Sequence, residues 1–232
     1  MIISKEAFLA GQVLLIDKPL QWTSFQVVNK IRWLIRKKLG IKKIKVGHAG
    51  TLDPLATGLL VVCCGKMTKN ITAFQNQEKE YSGVFLLGST TPSYDLETPI
   101  DQTYPIDHIS TQLLEETKTL LTGTIQQKPP VYSALKKDGK RLYAYARKGE
   151  VVEIPTREVT ISDFSLQSTH FPHIAFTVSC SKGTYIRSLV HDFGQALESG
   201  AHLTALQRTR IGEFHLENAM TLDEFEQLLE TP

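Results

Sequence analysis

GHAGTLDPLATG, residues 47–58, runs directly into LLVVCC, residues 59–64. The second part is a continuous apolar run and predicts a buried strand. The first part predicts a turn bounded by Gly50 and Gly58, with the single carboxylate of Asp53 between them. His48 stands five residues ahead of that acid and Pro54 directly behind it. Proline removes one backbone donor and biases Asp53 toward an extended conformation. An acid on a glycine-bounded turn can approach a ligand with little bulk around it. These residues alone admit two readings: a reactive acid, or an Asx-type turn whose carboxylate bonds only nearby amides.

Outward from this stretch, Val13 to Ile16 predict a short strand. Thr23 with Gln26 three residues on predicts a capping box. Phe25, Val28, Ile31, Ile35 and Leu39 then recur at helical spacing up to Gly40, with Lys30, Arg36 and Lys37 away from the apolar stripe. Further strands are predicted at 59–64, 81–87 and 174–180, and helices at about 109–121, 186–197 and 222–229.

The chain has 232 residues, enough for a packed core, with 41% hydrophobic and 22% charged residues. No apolar run approaches the ~20 residues of a membrane span, and the N-terminus lacks the pattern of a signal peptide. Three cysteines, two of them adjacent, form no disulfide framework and no C-x-x-C pair, so a reduced cytoplasmic setting is expected. The net charge of +2 is unevenly spread. Between Asp17 and Asp53 there are nine Lys and Arg residues and no acid, whereas after Arg210 the tail is acidic throughout. Such a positive field favours a polyanion such as RNA; the alternative is a solvated helix face.

Residues 126–150 mix Tyr132, Tyr143 and Tyr145 with Lys136, Arg141 and Arg147, punctuated by Pro129, Pro130, Gly139 and Gly149. The composition suits an exposed arm in which aromatic faces meet bases and cations meet phosphates. A loop folded onto the core with its tyrosines buried is the structural alternative. No domain boundary is visible, so one domain over 1–232 with an inserted arm is expected.

Other chemistries find no support. Gly65-Lys66 ends like a phosphate-binding loop, but Leu60 and Met67 stand where the motif needs glycine and a hydroxyl. No H-x-x-x-H or H-E-x-x-H pair offers a helical metal site, and no G-x-S-x-G elbow offers a serine nucleophile.

The segment GHAGTLDPLATG resembles the catalytic signature of the TruB family of tRNA pseudouridine synthases. The likeness extends, in order, through LLIDKPLQWTS (14–24), KEY (79–81), QKPPVYSALKKDGKRLYAYARKGE (127–150), CSKGTYIRSL (180–189) and LTALQRTRIGEF (203–214). Two departures stand out. Gln21 occupies a position where the family usually has glycine, which puts the backbone of the first loop in question. The chain also stops at Pro232, where many relatives continue into a small PUA-like RNA-binding domain.

The resemblance implies an α/β (α+β) pseudouridine synthase fold: a mixed, mainly antiparallel sheet flanked by helices, a central catalytic cleft and an RNA-binding arm. It implies conversion of uridine to pseudouridine at position 55 in the T-loop of tRNA, by an enzyme needing no cofactor and no metal; nothing in the sequence requires a dimer, so a monomer is expected. Asp53 takes the catalytic role, acting on the ribose of an extracted nucleotide by direct attack or through a glycal. Arg187 matches the family arginine that pairs with the catalytic aspartate; spacing alone would make it an ordinary surface arginine. Tyr81 matches the tyrosine that stacks on the target base, Tyr185 a pocket-lining aromatic and Leu206 a pocket wall. His48 corresponds to a histidine at the vacated base stack, held here as substrate-binding, and Lys18 to a lysine of the first motif that serves in packing or in support of the catalytic loop. Lys30, Arg36, Lys37, Tyr132, Lys136, Arg141 and Arg147 are expected to grip the tRNA T-arm. A tRNA-binding chaperone and a base-releasing nucleosidase are the competing functions; only the enzymes need Asp53.

Overall fold

The structure is a computed structural model and describes residues 3–133, 135–137, 139–146, 150, 152–168 and 170–230. In chain order the elements are α1 (Lys5–Ala10), β1 (Gln12–Lys18), α2 (Ser24–Lys38), β2 (Val46–His48), β3 (Ala56–Cys64), α3 (Ile71–Asn76), β4 (Lys79–Leu87), β5 (Ser89–Thr90) and β6 (Gln102–Thr103). There follow α4 (Thr111–Leu120), β7 (Gly123–Gln127), β8 (Lys136–Lys137), β9 (Lys140–Arg141), α5 (Leu142–Ala146), β10 (Arg157–Ser168) and β11 (His173–Cys180). The chain ends with α6 (Ile186–Ala196), β12 (Ala201–Ile211), β13 (Phe214–His215) and α7 (Leu222–Leu228). Two compact units are present, one comprising residues up to Tyr81 together with those from Leu206 onward, the other Ser82–Ala205.

In the first unit β1 pairs antiparallel with β3, from Gln12 opposite Cys64 to Lys18 opposite Gly58. The other edge of β3 meets β12 in parallel at Ala56–Gly58, and β2 in antiparallel at its far end. Alternate residues of β3 serve two cores. Leu60, Val62 and Cys64 pack with Val27, Val28, Ile31, Leu34 and Ile35 of α2 and with Phe225 of α7. Leu59 and Val61 pack on the opposite face with Ala49 and Ile211. Burial on both faces is why this strand reads as an unbroken apolar run. The α2 capping box forms as expected, with Thr23 Oγ1 accepting from Gln26 N–H and Gln26 Oε1 accepting from Thr23 N–H. Phe25, counted in the apolar stripe from its spacing, is instead 65% exposed. It lies in the first turn, where Ser24 rather than Phe25 faces inward.

In the second unit β7, β10 and β11 form an antiparallel run. An aromatic cluster of Phe85, Phe164, Phe176 and Phe193 packs there, with ring centroids 5.2–6.2 Å apart, and seats α6. The mixed, mainly antiparallel sheet with flanking helices agrees with the fold expected from the resemblance. All three cysteines are free and buried, and burial pushes Cys63 to about 11 and Cys64 to about 12, so neither is a ready nucleophile. No described helix is long and apolar enough to cross a membrane.

Candidate active site

The loop between β2 and β3 carries Asp53, and its backbone is fixed from several sides. Ala56 N–H donates to the Asp53 carbonyl (3.1 Å), closing a tight turn around the acid. One residue earlier, Leu52 N–H donates to Ser24 Oγ (2.9 Å) and the Ser24 hydroxyl donates to the Leu52 carbonyl (3.1 Å). The start of α2 therefore holds the residue next to the acid. One residue later, the Pro54 carbonyl accepts from Gln21 N–H at 2.8 Å. Gln21 itself adopts φ 65, the left-handed region that glycine enters without strain. The family preference for glycine at this position has its physical reason there.

Beneath the loop lie two buried cations. Lys18 and Arg208 are the register partners of Gly58 on its two sides, and their side chains are 0% and 1% exposed. Gly58 has φ 97, and a Cβ there would meet the Arg208 carbonyl oxygen at 2.4 Å, so the row of three closes only around glycine. The Lys18 ammonium donates to the carbonyls of Pro19 (2.8 Å) and Trp22 (2.6 Å), with that of Pro54 at 3.5 Å. Burial lowers Lys18 to about 8, against the attraction of Asp53 and then Asp17, with Arg208 adding to the lowering. Arg208 Nε donates to the Leu59 carbonyl (2.8 Å) and Nη2 to that of Gly50 (3.1 Å). One guanidinium thus spans both ends of the Asp53 loop. Sequence reading passed over Arg208, which sits between Gln207 and Thr209 in LTALQRTRIGEF with nothing local to mark it as buried.

Burial also holds the His48 imidazole below its ordinary value, outweighing a raising interaction with the Gly50 backbone. It is therefore neutral at pH 7, able to stack or to bond without bringing charge. Leu206 pairs with Ala56, three residues beyond Asp53. Tyr81 is 8% exposed on β4. His48, Asp53, Lys18, Leu206 and Tyr81 all belong to the first unit.

Tyr185 and Arg187 belong to the second. Tyr185 caps α6, and its backbone N–H and carbonyl are both bound by the buried Gln127 side chain, at 2.8 and 3.0 Å. The Arg157 guanidinium lies 4.6 Å over the Tyr185 ring. Arg187 is buried, not the surface arginine that spacing alone suggested. It donates to the Ser93 carbonyl (3.0 Å) and the Tyr132 carbonyl (2.9 Å), and its Nε lies 3.5 Å from Asp95 Oδ2. Asp95 was invisible in the sequence, because it lies far from any signature block. Ser188 Oγ donates to the Lys128 carbonyl, so α6 ties down the start of the 126–150 segment through two residues. Beyond it, β8 and β9 form a short hairpin and α5 follows, with Tyr143 and Tyr145 half-buried. Lys136 and Arg141 lie on that hairpin; Arg147 lies outside the described residues.

Residues 36–186 match the model of the TruB family pseudouridylate synthase N-terminal domain, and residues 187–231 that of the tRNA pseudouridylate synthase B C-terminal domain. The chain belongs to the TruB family. It is 57% identical to the tRNA pseudouridine synthase B of Flavobacterium johnsoniae over 98% of this chain and 100% of that protein. Identity to the synthase of the same name from Phocaeicola vulgatus is 55%, over 96% and 95% of the two chains. Among solved structures, a crystal structure of a Cbf5–Nop10–Gar1 complex is similar with a TM-score of 0.70 at 28% identity, covering 96% of this chain and 55% of the other. This TruB chain thus spans about half the length of that structural relative and nearly all of its bacterial ones.

Proposed function

We propose that this chain isomerises uridine to pseudouridine at position 55, in the T-loop of tRNA. The observation that carries the reading is the Asp53 carboxylate on a loop held by Ser24, Gln21 and Arg208, with the buried Lys18 charge attracting it, in a chain of the TruB family. In the reaction the bond between the sugar carbon and the uracil nitrogen breaks. The base turns, its C5 joins the same carbon and gives up its hydrogen to solvent, and the freed N1 takes up a proton, so the product is an isomer of the substrate. Nothing is oxidised or reduced, so the residues themselves suffice.

An ionised carboxylate beside the ribose of an extracted nucleotide is the group such chemistry needs, and Asp53 supplies it. Tyr81, Tyr185 and Leu206 are assigned to the extracted base, neutral His48 to the stack it leaves, and Arg187 to the positive charge the carboxylate requires. Lys30, Arg36, Lys37, Tyr132, Lys136, Arg141 and Arg147 are assigned to gripping the tRNA. A monomer working in the cytoplasm suffices for all of this.

Tritium release from a T-arm transcript carrying 5-tritiated uridine tests the reading. Wild type should release tritium in step with pseudouridine formation, and Asp53→Asn should bind the RNA yet release none. Free uracil among the products would instead make the chain a nucleosidase, and normal turnover by Asp53→Asn would remove Asp53 from the chemistry.

A further inference from the structure

The C-terminal half of α2 borders a groove of about 640 Å³ lined by Asn29, Arg32, Trp33, Arg36, Lys37 and Lys42, closed by Gly40 and Ile41. Four of these residues are cations and none is acidic. The charge is also selective. The acidic tail folds back on this helix, Lys30 pairing with Glu226 at 2.9 Å and Lys38 with Glu230. The cations thus neutralised are not those that line the groove. Arg32 is pinned by the Asn29 side chain (2.7 Å) and the Val46 carbonyl (3.0 Å), leaving Arg36, Lys37 and Lys42 as the working charges.

Trp33 is 48% exposed in the middle of this surface, and the Lys37 ammonium lies 4.7 Å from its ring centroid. An exposed indole of that size has no stabilising role in the core. It holds a lysine that would otherwise sample many rotamers, so less freedom is lost when the ammonium meets an anion. Ser24, which grips the Asp53 loop, lies at the other end of the same helix, roughly 20 Å from Lys37 at the usual rise per residue. An anion in the groove therefore cannot belong to the nucleotide at Asp53. It belongs to RNA several nucleotides away.

We propose that this groove binds backbone phosphates of the tRNA outside the T-arm, with Trp33 preorganising Lys37 and with Arg36 and Lys42 as its partners. This rests on the tRNA reading and adds to it a second contact region, on the first unit.

The test compares full-length tRNA with an isolated T-arm hairpin, measuring dissociation constants for both over a range of salt. For Arg36→Gln/Lys42→Gln, affinity for full-length tRNA should fall by on the order of tenfold more than affinity for the hairpin. The slope of log affinity against log salt for full-length tRNA should shrink by about 1.5, the loss of two phosphate contacts. Trp33→Leu should weaken full-length binding severalfold with little change in slope, because it removes no charge. Equal losses on hairpin and full-length tRNA, or an unchanged salt slope in the double variant, would overturn the proposal. The isomerase reading is judged separately, by tritium release: wild type that makes no pseudouridine but shows these slopes refutes that reading and leaves the groove standing.

Discussion

Ser24 and Leu52 exchange two hydrogen bonds, the hydroxyl accepting from the Leu52 amide at 2.9 Å and donating to the Leu52 carbonyl at 3.1 Å. Both partners are buried, and Leu52 directly precedes Asp53. A hydroxyl at the start of a helix thus satisfies both backbone groups of a loop residue that has no strand partner. Ser24→Ala leaves that amide and carbonyl unsatisfied, which costs about 1–3 kcal/mol. The expected outcome is a loss of that size in urea unfolding together with a lower single-turnover rate and a nearly unchanged tRNA dissociation constant. A rate equal to wild type would mean the loop holds its shape without Ser24.

Gln21 tests the strain in the neighbouring loop. Its left-handed φ costs about 1 kcal/mol for a residue with a Cβ. Glycine removes that cost but adds freedom to the unfolded chain, by about 0.4–1 kcal/mol. Gln21→Gly should therefore be neutral or slightly stabilising in thermal unfolding. Gln21→Val should be clearly destabilised, since a β-branched residue tolerates this region worst. Gln21→Pro would also remove the N–H that donates to Pro54, and should lose activity.

How much of this was visible in the sequence depended on how local the cause was. The α2 cap was legible because Thr23 and Gln26 satisfy each other within one turn. The β3 strand was legible because both of its faces are buried. By contrast β12, AHLTALQRTRI, alternates poorly, and its meaning comes from pairing with Ala56–Gly58 some 150 positions earlier. Arg208 looked like any arginine until that register placed it under Gly50 and Leu59. Asp95 became meaningful only when the fold brought it to Arg187. The uneven charge was legible too, but not that the acidic tail would neutralise part of the basic helix.

Lys18 gives a pH dependence with opposite signs for activity and stability. Burial lowers the folded-state value to about 8, whereas the unfolded chain holds its proton up to about 10.4. Between those values the unfolded state binds the extra proton, so stability relative to Lys18→Met should rise with pH, from its low point below pH 8. Activity should move the other way. Deprotonation removes the positive charge that attracts Asp53, so the single-turnover rate should fall as pH rises through about 8. Lys18→Met should be slow throughout and lack that limb. Profiles of wild type and variant that run parallel from pH 7 to 9 would show that the Lys18 charge takes no part.

Arg208 is the sharpest case, because it is buried, charged and doubly bonded to backbone. Its guanidinium reaches Gly50 and Leu59 with two different nitrogens, a span that a lysine ammonium cannot bridge while keeping its charge in one place. Arg208→Lys keeps the buried charge but leaves one of the two carbonyls unmet. Arg208→Met removes the charge and fills much of the volume. If the residue served stability alone, both variants should be destabilised, by about 1–3 kcal/mol for each unmet carbonyl, while keeping wild-type rates below their melting temperatures. If it positions the loop, both variants should lose rate, on the order of a hundredfold for a displacement near 1 Å, whatever their stability. The expected result is the second: Arg208→Met, with the Gly50 and Leu59 carbonyls unmet, melts lower than wild type, and well below that melting temperature it still releases tritium far more slowly. Wild-type rates in a folded Arg208→Met enzyme would show that the Asp53 loop keeps its geometry without a cation at its base.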